Sequence, residues 1–147
     1  VTTCPDLALK VEACLESQLA TLSTAAIARQ SLANNGYITV VTDIESAITA
    51  ADAVASEHLE IMMKDGHTIA NRIRHYGAVF IGPATAEVFG DYGAGPNHVL
   101  PTGGMARCVG GLSVMNFLRV RTWLAMDESS DSQAIARDAA ILARMEG

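Results

Sequence analysis

The stretch Tyr37-Ile38-Thr39-Val40-Val41-Thr42-Asp43-Ile44-Glu45-Ser46-Ala47-Ile48-Thr49-Ala50-Ala51-Asp52-Ala53-Val54 sets the fold class. Its first five residues are a β-branched, apolar run short enough to be a buried strand. Thr42-Asp43 then offers a cap to an alanine-rich helix whose Ile44, Ile48, Ala51 and Val54 or Ala55 share one face. The pattern repeats downstream. His58 to Met62 reads as a second strand, Asp65-Gly66 as a turn, His67 to Tyr76 as a helix, and Ala78-Val79-Phe80-Ile81 as a third strand ended by Gly82-Pro83. Strand and helix in alternation predict a parallel, layered α/β sheet.

Upstream, Pro5 suits a first helical turn, and Leu7, Val11, Leu15, Leu19 and Leu22 form a stripe at three- and four-residue spacing. Thr24 is placed to cap a second helix to about Leu32, stopped by Asn34-Asn35-Gly36, residues tolerant of left-handed geometry. Downstream the texture changes. Gly90 to Arg107 holds five glycines and two prolines without periodicity, which predicts a long loop of the kind that carries function. Val120 to Met126 fits either strand or helix, and Ser129-Ser130-Asp131 precedes a last helix from Gln133 to about Met145.

The 147 residues suffice for one domain with a sizeable, mainly aliphatic core. A net charge of −6 with scattered basic residues argues against nucleic acid or an anionic membrane surface as partner. No apolar run reaches the roughly 18 residues that span a bilayer. Cys4, Cys14 and Cys108 are odd in number and lack metal-type spacing, so they read as reduced, mostly buried thiols of a cytoplasmic protein.

Chemistry concentrates at two places, Ser56-Glu57-His58-Leu59-Glu60 and Gly90-Asp91-Tyr92-Gly93-Ala94-Gly95-Pro96-Asn97-His98. Both join carboxylates and imidazoles, which move protons and bind metals. On a strand Glu57 and His58 face opposite sides, which suits two separate proton tasks better than a mutual pair. The bland alternative is a helix-end His beside a solvated Glu. Asp91 and His98 bracket glycines at G-x-x-G-x-G spacing, which is neither a dinucleotide fingerprint nor a phosphate loop. Carboxylate and imidazole are both zinc ligands, whereas a capped turn in a structural loop explains the segment equally well. His67 and His75, near the ends of one predicted helix, read as surface residues, and Met62, Met63 and Trp123 as core or partner-packing groups.

Together these motifs, followed by Val99-Leu100-Pro101-Thr102, Gly111-Leu112-Ser113-Val114 and Phe117 and preceded by Ala26-Ile27-Ala28-Arg29, resemble the histidinol dehydrogenase family over essentially the whole chain. That resemblance implies zinc and NAD as cofactors. It implies oxidation of L-histidinol to L-histidine through the aldehyde, in a cytoplasmic homodimer or with a complementing chain. Glu57 and His58 would be the acid–base residues, Asp91 a zinc ligand, and His98 and Glu146 substrate contacts. The fold implied is an incomplete Rossmann-like parallel sheet with helices on both faces. Residues 1–112 would be the second half of the catalytic α/β domain and 113–147 the start of a helical C-terminal arm. In the family the other zinc ligands and the NAD site come from segments outside this sequence, so a fragment, split subunit or truncated homologue, inactive alone, is expected. The departures at Gly103-Gly104-Met105 and Arg119 to Asp127 keep a sulfonated diol open as substrate, and a non-catalytic binding or assembly module is the alternative of another class.

A partial sheet exposes strand edges and apolar faces, so the isolated chain should self-associate. A monodisperse monomer in sizing chromatography would count against it.

Overall fold

Pro5 opens α1 (Pro5–Leu19) at its first position, where the missing N–H would have had no partner. In this computed structural model, which describes residues 1–94 and 97–147, α1 packs on α2 (Ala25–Asn35). The Arg29 guanidinium accompanies that contact, lying 2.8 and 3.0 Å from the two Glu16 carboxylate oxygens. Both side chains are exposed, so the pair contributes under about 1 kcal/mol. Thr24 occupies the N-cap position without capping: at φ −100°, ψ 22° its backbone lacks the extended geometry that aims a hydroxyl at the first turn. Gly36 closes the helix in an extended conformation rather than a left-handed one. Its glycine is needed for space, because a Cβ would lie 2.6 Å from the Leu32 carbonyl oxygen.

The expected strand at Tyr37–Val41 does not form. Only Val40 bridges, in parallel to Thr2, through Thr2 N–H to Thr39 O and Val41 N–H to Thr2 O, both 2.9 Å. One residue's worth of partner cannot extend a ladder, and Tyr37 stays exposed.

Asp43 does cap α3 (Ile44–Val54), its Oδ1 accepting the Ser46 N–H at 2.8 Å. That bond holds the Asp43 carboxyl below the usual carboxylate range. The helix ends at Ala55, fully buried in the left-handed region at φ 51°. The chain then forms β1 (His58–Ile61), α4 (Gly66–Ala70) and β2 (Ala78–Ile81). β1 and β2 pair in parallel with His58 opposite Ala78 and Ile61 opposite Ile81. Ile48 of α3, Ile61, Ala70 and Ile73 form the core. Leu59, Met63, Val79 and Ile81 pack around it.

The helix expected over His67–Tyr76 ends at Ala70; Asn71, Arg72 and Ile73 still donate back to His67, Ile69 and Ala70 carbonyls, and the donors after them are claimed elsewhere. Asp52, buried on α3, accepts the backbone N–H of Arg74 at 2.7 Å and of His75 at 3.1 Å, and the Arg74 Nε–H at 3.1 Å. Burial alone would raise the Asp52 pKa, but these bonds and the Arg74 charge together hold it below the usual range.

After β2 the chain forms α5 (Val88–Asp91) and a 3-10 turn at Met105–Arg107. The long predicted loop is therefore helical at both ends. The Arg107 guanidinium donates to the carbonyl of Ala53 near the end of α3. These elements belong to one compact unit, Val1–Leu112.

The second unit, Ser113–Gly147, is simpler. Ser113 and Asn116 form a reciprocal capping box around a 3-10 turn at Val114–Phe117. Val120 to Met126 is neither strand nor helix. α6 (Ser130–Glu146) starts at Ser129, whose Oγ accepts the Ser132 N–H. Hydrogen bonds from Ser129 and Ser132 bring the Asp127 carboxyl down to about 2. All three cysteines are exposed, contrary to expectation: Cys4 sits at the N-cap of α1, Cys14 lies off the Leu15–Leu19 stripe, and Cys108 follows the 3-10 turn. No helix among the described residues is long and apolar enough to cross a membrane.

Asp52→Ala leaves two backbone donors without their acceptor and should lower the unfolding free energy by about 2 kcal/mol in urea titration. Because the folded pKa of Asp52 is depressed, its contribution is full above the ordinary Asp value and fades as pH falls through the folded one. Stability of the variant should therefore fall less steeply in acid than that of the parent.

Candidate functional site

The site is built on the start of β1. Gly77 N–H donates to Ser56 O at 2.9 Å and Ala78 N–H to Glu57 O at 2.8 Å, extending the ladder upstream of His58. A Cβ on Gly77 would fall 2.5 Å from the Glu57 carbonyl oxygen, so only glycine permits that approach. Register then puts His58 on the same sheet face as Ala78 and Phe80. The His58 ring lies 5.9 Å from the ring of buried Phe80, centroid to centroid, tilted by 35°.

Phe80 also seats α5. A Cβ on buried Gly90 would lie 2.8 Å from Phe80 Cζ, so the helix backbone rests almost directly on the ring. Glu87 before this glycine and Asp91 after it are thereby brought to His58. Glu87 Oε1 lies 3.2 Å from His58 Nε2. One ligand atom each of His58, Glu87 and Asp91 lies within 4.8 Å of the other two. His58 and Glu87 are half-buried and Asp91 is exposed, which leaves the group open to solvent on one side.

Of the residues expected from sequence, His58 and Asp91 come together. Half-buried Glu57 precedes β1 and stands outside the group, as strand alternation requires. His98 is exposed and also outside it. Its neighbour Asn97 is anchored, with Oδ1 accepting Val99 N–H at 2.9 Å and Nδ2 donating to Leu112 O at 2.5 Å. Gly95 and Pro96 of the same motif lie outside the described residues. Glu146 is the last residue of α6 in the second unit and is exposed. His67 is exposed in the first turn of α4, and His75 is half-buried with its backbone held by Asp52.

Glu87 is the residue sequence reasoning missed. Its i, i+4 spacing to Asp91 was the available signal, since that spacing puts two side chains on one side of a helical turn. One imidazole and two carboxylates form a donor set suited to zinc, and an imidazole at hydrogen-bond distance from a carboxylate is equally a proton-transfer pair.

The chain resembles known proteins over its whole length. A family model described as histidinol dehydrogenase matches residues 1–147. Histidinol dehydrogenase of Nitratidesulfovibrio vulgaris is 48% identical over an alignment of 150 residues, covering 100% of this chain and 34% of the relative. That of Nitrobacter winogradskyi is 44% identical over 147 residues with the same coverage. The crystal structure of histidinol dehydrogenase from Elizabethkingia anophelis superposes with a TM-score of 0.73 at 34% identity, covering 77% of this chain and 26% of that one. The chain thus spans about a third of the length of the curated relatives it matches.

Gly90→Ala should push Phe80 out of place and lower stability by about 1–3 kcal/mol. Thermal or urea denaturation checks this, and a parental melting curve would refute the close seating of α5.

Proposed function

The chain belongs to the histidinol dehydrogenase family, and on that premise we propose that it supplies part of the catalytic centre of an enzyme oxidising L-histidinol to L-histidine. The observation that carries this reading is the convergence of His58 and Asp91, from two separate motifs, in one solvent-open group. His58 is the general base: it takes the hydroxyl proton as hydride leaves the carbinol carbon. Glu57, on the other side of the backbone, takes a proton from the water that adds to the aldehyde, before the second hydride leaves. Both groups are half-buried, enough to be held yet open to reactants. His98 and Glu146 contact substrate.

Asp91, a solvent-open carboxylate beside His58, would be the zinc ligand this chain contributes, with His58 kept free for proton transfer. Bound zinc supplies a Lewis acid for the substrate oxygen, and NAD the hydride acceptor. In the same reading residues 1–112 are the second half of the catalytic domain and 113–147 the beginning of an arm that completes a site in a homodimer. The setting is cytoplasmic histidine biosynthesis.

In protein containing this chain that reduces NAD with L-histidinol, His58→Ala should lower kcat by about 10²–10⁴-fold while zinc content stays at the parental level. Asp91→Ala should lower zinc content. Unchanged turnover in the His58 variant would remove the role assigned to it.

A further inference from the structure

We propose that Glu87 is a positioning residue for His58. Its carboxylate accepts a hydrogen bond from His58 Nε2–H, fixing the imidazole against Phe80 and leaving Nδ1 as the nitrogen that takes the substrate proton. The proposal rests on the reading of His58 as the base.

Three features of the structure support it. A neutral imidazole carries one N–H and one lone pair, and the tautomer follows whichever nitrogen meets an acceptor. Here the carboxylate facing Nε2 is that of Glu87, whose Oε1 lies 3.2 Å away. The ring's other restraint is Phe80, 5% exposed, which blocks movement toward the sheet. Gly90 couples the two restraints: because α5 rests on Phe80 through a residue without a side chain, the ring that supports His58 also sets the position of Glu87. Face and edge of the imidazole are thus fixed by one packed unit.

The competing role for Glu87 is metal ligation with His58 and Asp91, since the three ligand atoms are close enough to share an ion. That arrangement would occupy the lone pair that proton transfer needs. The two roles separate cleanly by experiment.

With ¹⁵N-labelled histidine, long-range ¹H–¹⁵N correlation spectra of the chain at mildly alkaline pH should show His58 as the Nε2–H tautomer. Glu87→Ala should lose that preference, and Glu87→Gln, whose amide oxygen still accepts, should keep it. In the active enzyme with L-histidinol, Glu87→Ala should lower kcat about 10–100-fold with KM and zinc content unchanged. Glu87→Gln should recover most of the loss while preserving size and fold. In a His58→Ala background, Glu87→Ala should cost nothing further, because positioning acts only through the ring. A parental Nδ1–H tautomer, parental kcat in Glu87→Ala, or loss of zinc in either Glu87 variant would overturn the proposal. Loss of turnover in His58→Ala combined with parental turnover in Glu87→Ala would overturn the positioning role alone. Parental turnover in His58→Ala would overturn the base assignment itself.

Discussion

Asp52 lies in the last turn of α3 and accepts hydrogen bonds from two consecutive backbone donors, Arg74 and His75, far along the chain. Those donors would otherwise have continued α4. Because a buried carboxylate must keep its partners, the chain leaves helical geometry there and enters β2 at a fixed point. The register of β2 against β1 follows, and with it the placement of Phe80 beside His58. A polar anchor outside the active group thus sets where that group can assemble.

From Phe80 outward the site is a matter of close approach. Gly77 lets the chain before β1 lie against β2, and Gly90 lets α5 lie against the aromatic ring. Neither glycine needs a left-handed conformation. Each is required because a methyl group would strike a carbonyl oxygen or a buried ring. His58, Glu87 and Asp91 are therefore held by a packed scaffold and still face solvent at Asp91.

Much of this was legible in the residues. The α3 cap at Asp43, both paired strands and the helix after Ser129 follow from local patterns, and the two polar motifs carried the family resemblance. What was not legible depends on partners distant in sequence. Periodicity ran the α4 helix on to Tyr76 because nothing local reveals that Asp52 takes its donors. Tyr37–Val41 has strand composition, yet a strand needs a consecutive partner, and Thr2 provides one residue's worth. Glu87 sits outside both dense clusters, and only the fold over Phe80 gives it a role. Thr24 was the right residue for a cap with the wrong backbone angles.

The anchoring of Asn97 has a consequence for any ligand this segment would meet. Its side chain bridges Val99 and Leu112, so the residues on both sides of His98 are fixed before any ligand arrives. Ordering a loop around a ligand draws directly on binding free energy, whereas order already present in the free protein does not. The entropy lost by this segment belongs to folding, and His98 sits on a pre-organised backbone.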